Sequence, residues 1–272
     1  MLATNANEVN TFAAEVSAGW WRDKIVNFHG KKSAFRGVLE YTFKDGSKQL
    51  FGTDTTHWRA GLGGSVVHAA IYDGEIQDGR IENPYYGSPD FAAPEENTEF
   101  TGEILPSDGG EICARLDKAA LEALKPREIY AWEGVEGAAR DIYGKVVRKW
   151  TLSGEKLKEC KDGEIPTLQP GETMVIDYGQ NCAAVPVLFA KAPAETVVTV
   201  NPVEMLNDGN GERSRGNDGP AGSAYRENLR IPSQGMSFVY TCKGGKEEVA
   251  YPRFTFFGYR SLSITVSQPA KV

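Results

Sequence analysis

Short runs rich in valine, isoleucine, threonine, tyrosine and phenylalanine recur along this chain, and glycine, proline or an Asp-Gly pair breaks them at intervals of about ten residues. Branched and aromatic side chains suit a pleated, half-buried surface, and the interrupting residues supply turns. The spacing therefore predicts antiparallel strands of the kind that build sandwiches and barrels. Phe35 to Phe43 before Asp45-Gly46, Val66 to Tyr72 before Asp73-Gly74, Met174 to Tyr178, Val185 to Ala190 and Thr196 to Val200 are examples. A further apolar strand is expected from Thr11 to Trp20. The fold class is all-β.

Helix has little place in this pattern. Only DKAALEAL, Asp117 to Leu124, has helical composition, and Pro126 stops it. Strands do not alternate with helices, which excludes a doubly wound sheet. Asn83 to Asn97 contains three prolines and reads as a linker or long surface loop, and Gly163 to Gly171 marks a second boundary. These breaks divide the chain at about residue 165, into modules spanning 1–165 and 166–272.

Composition narrows the function. Thirty basic residues against 37 acidic ones leave a net charge of -7, and the basic residues are scattered, so no nucleic-acid partner is expected. No apolar run approaches the roughly 20 residues of a membrane span. The start MLATNANEVNTF has neither a basic nor an apolar leader region, so no signal peptide is read in it. Cys113, Cys160, Cys182 and Cys242 form no CxxC pair and read as buried or free thiols. The motifs of zincins, serine hydrolases, phosphate-binding loops and dinucleotide folds are missing from the sequence.

Three stretches contain residues suited to chemistry. In YDGEIQDGRIE, Tyr72 to Glu82, an extended backbone would set Asp73 and Glu75 on one face about 7 Å apart, a spacing compatible with paired carboxylates. Asp78, Arg80 and Glu82 would face the other way and neutralise one another; a turn followed by a salt-bridged strand is the simpler reading. In Gly19-Trp20-Trp21-Arg22-Asp23, an indole beside polar groups can stack a sugar ring, while packing of both tryptophans in the core is the alternative. In NDGNGERSRGNDGPAGSAYRENLR, Asn207 to Arg230, Asp208, Asn210 and Glu212 alternate as calcium ligands do. Arg213 and Gly219 then occupy the positions where such a loop needs glycine and a bidentate acid. The stretch reads as an architectural loop whose Arg213, Arg215 and Arg226 suit pairing with a neighbouring surface.

Taken in order, GWWRD, AFRGVLEYTFKDGS, TDTTHWRAG and AAIYDGEIQDGR, then IDYGQNCAAVP, VNPVEMLNDGNG, GNDGPAGSAYRENLR and PRFTFFGYRSLSIT, resemble the two β-sandwiches of bacterial α-L-rhamnosidases. The pair DYGQN and FTFFGYR is the most specific element. Gln77 and Gly79 depart from the family, which has tyrosine and alanine there. The resemblance implies two antiparallel sandwich modules of jelly-roll or concanavalin-like type, the first incomplete at its N-terminus. It further implies that the catalytic acid and base lie on an (α/α)6 barrel that would follow Val272, so this chain is expected to carry no catalytic residue. Carbohydrate, in L-rhamnose-containing glycans, and that barrel are the partners implied. No cofactor is required, although calcium is possible. The candidate sugar contacts are Trp20, Trp21, Arg22, Asp73 and Glu75. A parent enzyme of this family is expected in the periplasm or outside the cell. A stand-alone lectin-like protein and an enzyme using Asp73 and Glu75 are the rival readings.

Overall fold

A computed structural model describes residues 12–19, 22, 33, 35–53, 58, 61–62, 64–81, 95–96, 146, 148–208, 218–226 and 235–272. Trp20, Trp21, the helix expected over 117–124, nearly all of the 83–97 stretch, Arg213 and Arg215 lie outside the described residues. Among the described residues every regular element is a strand. They divide between two compact units, one drawn from 1–35, 61–96 and 146–272, the other from 36–60 and 97–145.

In the second unit, β1 (Val38–Thr42) and β2 (Lys48–Gly52) form an antiparallel hairpin with Leu39 opposite Phe51 and Tyr41 opposite Gln49. Its turn follows from Asp45-Gly46. The Asp45 carboxylate accepts the Ser47 backbone N–H at 2.9 Å and the Ser47 hydroxyl at 2.6 Å, and Gly46 takes a φ of 83° that other residues rarely adopt.

The first unit contains β3 (Gly61–Leu62), β4 (Val66–Ala70), β5 (Gly74–Asp78), β6 (Glu95–Glu96), β7 (Arg148–Ser153), β8 (Lys156–Glu159) and β9 (Thr167–Leu168). It continues with β10 (Glu172–Ala184), β11 (Leu188–Ala190), β12 (Val197–Val203), β13 (Met205–Leu206), β14 (Ala224–Tyr225), β15 (Ser237–Thr241), β16 (Glu248–Ala250), β17 (Phe257–Val266) and β18 (Ala270–Lys271). Eight of these make one sheet in the order β4-β5-β15-β12-β17-β10-β7-β8. Neighbours are antiparallel except at one step, where β5 runs parallel to β15 with Ser237 beside Gly74 and Thr241 beside Asp78. Parallel neighbours need a long connection, and these two strands are far apart in sequence. The division expected at about residue 165 runs through this sheet, since β5 pairs with β15 and β7 pairs with β10, both of which follow it.

One face of the sheet is the core. Along β12 and β15, burial alternates with period two, so Val198, Val200, Phe238 and Tyr240 point the same way and join Met174, Leu262 and Ile264. A second layer lies on them. The pairs β11-β16 and β9-β18 are joined by a bridge between Lys191 and Lys271 and contribute Leu168, Leu188, Ala190, Ala250 and Ala270. Burying one side chain the size of Phe238 contributes roughly 2–3 kcal/mol. Val175 faces the other way and packs with Trp150 and Leu152 in a smaller cluster that Leu206 caps. Cys242 sits inside the main core, where burial and then the Glu248 carboxylate push its thiol up to about 11. It is a packing group and not a nucleophile.

One expectation changes, and one motif pair gains a structural explanation. Residues 12–18 have no strand pairing, so the strand expected from Thr11 to Trp20 does not form over them. The motif pair DYGQN and FTFFGYR proves to be one structural latch. Where β10 bulges between Asp177 and Cys182, Gly179 takes a φ of 77° and donates its N–H to Asp177 Oδ1 at 2.7 Å. Arg260 on β17 grips the same carboxylate through Nε at 2.9 Å and a terminal nitrogen at 3.0 Å.

Burial alone would raise the Asp177 carboxyl, but the Arg260 guanidinium and the Gly179 amide outweigh it and hold the group below its ordinary value. A carboxyl lowered on folding stabilises the native state fully above its unfolded value, and that stabilisation disappears as pH falls through the folded value. Below about pH 4, therefore, the urea midpoint of the unaltered chain should drop more steeply than that of Asp177→Asn, while the two profiles should run parallel near neutrality.

Candidate functional site

Of the residues singled out for chemistry, Asp73 and Glu75 lie in the β4–β5 hairpin. Its turn spans Ile71 to Asp73 and ends at Gly74, whose φ is 87°. Asp73 therefore belongs to the turn and not to the strand, and the alternation that would place it beside Glu75 on one face does not include it. The Asp73 carboxylate, partly exposed, lies 3.5 Å from His68 Nε2 on the adjoining strand.

Glu75 is fully buried. Its carboxylate accepts the backbone N–H of Arg253 at 3.1 and 2.9 Å, that of Phe254 at 2.8 Å and the Gln77 side-chain amide at 2.6 Å. Gln77 in turn donates to the Tyr251 carbonyl at 2.9 Å. With its oxygens occupied and no exposed surface, Glu75 tethers the chain before β17 to β5. The pairing of Asp73 with Glu75 as two carboxylates facing one substrate is thus replaced by two separate roles. Gln77 supplies the amide that bridges Glu75 to Tyr251. At Gly79 an added Cβ would lie 2.1 Å from the Tyr240 hydroxyl.

Arg80 neutralises its surroundings as the turn-and-strand reading expects. Its Nε and a terminal nitrogen meet the two oxygens of Asp78 at 2.9 and 2.7 Å, and its other terminal nitrogen meets Glu195 at 3.1 Å. The Arg80 hydrogen bonds hold the Asp78 carboxyl below its ordinary value.

Gly19 and Arg22 are the described members of the tryptophan-bearing segment; Arg22 is exposed, its N–H bonds the Ala18 carbonyl at 3.2 Å and its guanidinium reaches the Ser33 hydroxyl at 3.3 Å. Upstream, Glu15 pairs with Arg253 at 2.7 Å, and Arg253 also donates to Ser65 Oγ at 3.1 Å. Nothing in the linear pattern marks Glu15, Ser65 or Arg253, because their relation exists only once distant segments meet.

The loop from Asn207 is pinned at its neck. Asn207 is buried; its side-chain amide donates to Asp218 and Ser223 Oγ, both at 2.7 Å, and its Oδ1 accepts the Asp218 N–H at 3.1 Å. Gly222 passes its N–H to the Asn207 carbonyl at 2.7 Å, and its own carbonyl accepts Trp150 Nε1 at 3.0 Å. Arg226 turns inward and donates to the Met236 carbonyl at 2.6 Å, instead of presenting its guanidinium to a neighbouring surface. Among the described residues no group of three or more histidine, cysteine, aspartate or glutamate side chains is placed to hold a metal ion.

The Glu75 contacts make a prediction. Glu75→Gln keeps the shape but sets an N–H group against donors that now meet an acceptor, so stability should fall by about 2 kcal/mol. Guanidinium titration at pH 7 measures it; an unchanged midpoint would show that the Arg253 and Phe254 amides find other acceptors.

Comparison with known proteins extends this geometry. Residues 3–119 match the family described as alpha-L-rhamnosidase N-terminal domain, and residues 167–272 match the bacterial alpha-L-rhamnosidase concanavalin-like domain. The chain is 28% identical over 260 residues to an alpha-L-rhamnosidase of Streptomyces avermitilis, a match spanning 94% of this chain and 20% of that protein. It is 24% identical over 261 residues to one of an Alteromonas species, spanning 94% and 22%. Among solved structures it is similar to the Streptomyces avermitilis alpha-L-rhamnosidase complexed with L-rhamnose, with a TM-score of 0.53, 26% identity, and coverage of 93% of this chain and 20% of that one. The chain thus spans about a fifth of the length of the curated relatives it matches.

Proposed function

From a chain that belongs to the bacterial α-L-rhamnosidases, through their N-terminal domain over 3–119 and their concanavalin-like domain over 167–272, we propose the non-catalytic β-sandwich portion of an enzyme that hydrolyses terminal α-L-rhamnosides. The observation that carries this reading is the order and extent of the two matches, which together take up most of the chain and only about a fifth of the relatives. In such an enzyme the first module binds or positions sugar, with Trp20, Trp21, Arg22 and Asp73 as contacts, and the second supports a catalytic barrel.

The burial of Glu75 supports a non-catalytic role. A carboxylate acting on a glycosidic bond must reach the scissile oxygen or an attacking water, and one whose oxygens are taken up by backbone amides inside the fold does neither. Glu75 accordingly moves from the sugar contacts to the scaffold.

Calorimetric titration of the purified chain with L-rhamnose, with and without calcium, tests the sugar-binding part. Saturable heat that weakens in Arg22→Ala and Asp73→Ala is the expected result, and no heat under either condition overturns it. A chromogenic α-L-rhamnoside tests the rest: the chain alone should give no turnover, and turnover abolished by Glu75→Gln would make it an enzyme in its own right.

A further inference from the structure

Resting on that sugar-binding reading, we infer that Arg253 is a positioning residue of the sugar site, fixing the segment that bears Arg22 against the hairpin that bears Asp73. The guanidinium meets both oxygens of Glu15, at 2.7 and 3.2 Å, and the Ser65 hydroxyl at 3.1 Å. Glu15 lies in residues 12–18, which have no strand pairing and lead into the turn that ends at Arg22. Ser65 precedes β4, and its carbonyl accepts the Asp78 N–H at 2.8 Å, so it is fixed to the β4–β5 hairpin.

The backbone of Arg253 cannot drift, because Glu75 on the core side of β5 holds its N–H and the next one. Its side chain therefore projects from a rigid anchor to two segments that share no backbone ladder. Glycine at 64 belongs to the same arrangement: a Cβ there would lie 3.3 Å from Glu15 Oε1 and press on the carboxylate. An arginine fork suits this task, since a planar guanidinium holds a carboxylate by two bonds and sets its orientation. The anchor lies in the 167–272 match while every group it holds lies in the 3–119 match, so the concanavalin-like domain sets the geometry of the N-terminal domain's site.

The test uses the full chain with Arg253→Met, Glu15→Gln and the reversed pair Glu15→Arg/Arg253→Glu. Hydrogen exchange followed by mass spectrometry should show residues 12–22 exchanging at least about tenfold faster in both single variants, with β12 and β17 unchanged. L-rhamnose affinity should fall by about tenfold in both and recover in part in the reversed pair. Glu15→Gln leaves the Glu75 contacts untouched and keeps the test valid if Arg253→Met does not fold. Unchanged exchange over 12–22 overturns the clamp, and faster exchange with unchanged affinity overturns its role in the sugar site. If the unaltered chain gives no heat with L-rhamnose, the sugar-binding reading falls and with it the positioning role, while exchange alone still decides whether the clamp exists.

Discussion

Gly74→Ala should lower the stability of the chain by on the order of 4 kcal/mol, one of the largest losses a single methyl group can cause. The added Cβ would lie 1.9 Å from the Ser237 carbonyl oxygen and 2.8 Å from the Ser237 nitrogen and carbonyl carbon, all backbone atoms, on a residue whose φ of 87° already excludes side chains. Because the atoms met are all backbone, no side-chain movement relieves the overlap. Relief requires β5 to part from β15 at the one parallel step of the sheet, where Ser237 donates its N–H to the Asp73 carbonyl at 3.3 Å. A urea titration reads the loss directly. Gly235→Ala is the control, because a Cβ there meets nothing within 4 Å, and it should shift stability by no more than about 0.5 kcal/mol. Equal midpoints for the two variants would mean that β5 and β15 do not approach as described.

Trp150→Ala is expected to cost about 4 kcal/mol as well, by a different route. The indole is 1% exposed and fills the cluster between Leu152, Val175 and Leu206, so truncation leaves a cavity that the surrounding strands cannot close. It also removes the donor to the Gly222 carbonyl, the bond that fastens the neck of the Asn207 loop to the sheet. Trp150→Phe separates the two contributions: it retains much of the apolar volume but not the donor, and should cost about 1–2 kcal/mol. Exchange at the Gly222 and Ser223 amides should rise in both variants. Protection of these amides in Trp150→Ala would show that the Asn207 network holds the neck without help from the indole. Since domains are stable by only about 5–15 kcal/mol, either loss is a large share of the total.

The legible and the hidden parts of the molecule divide along a physical line. Period-two burial on β12 and β15 follows from Val197 to Val203 and Ser237 to Thr241, because the pleat alone puts successive side chains on opposite faces. The turns at Asp45-Gly46 and Asp73-Gly74 follow equally, since an Asp-Gly pair favours a turn whatever surrounds it. Residues 12–18 did not become a strand despite their composition, because a strand needs a partner and these residues are held instead by an ion pair from Arg253. For Glu75 the strand reading was sound and the face was wrong in consequence: the turn extends through Asp73, and only the amides of Arg253 and Phe254, far along the chain, show that its carboxylate points inward.

By itself the sequence determined the all-β class seen among the described residues, the turn positions, and the family to which the ordered motifs belong, because each rests on local preferences or on residues read in line. Only the tertiary structure decided that β5 joins β15 in parallel, that DYGQN and FTFFGYR meet as the Asp177–Arg260 latch, and that Glu75 is scaffold while Asp73 stays at the surface. Those facts depend on pairings between segments remote in sequence. The free energy that selects such pairings comes from burial and hydrogen-bond satisfaction across the whole sheet, to which no short stretch has access on its own.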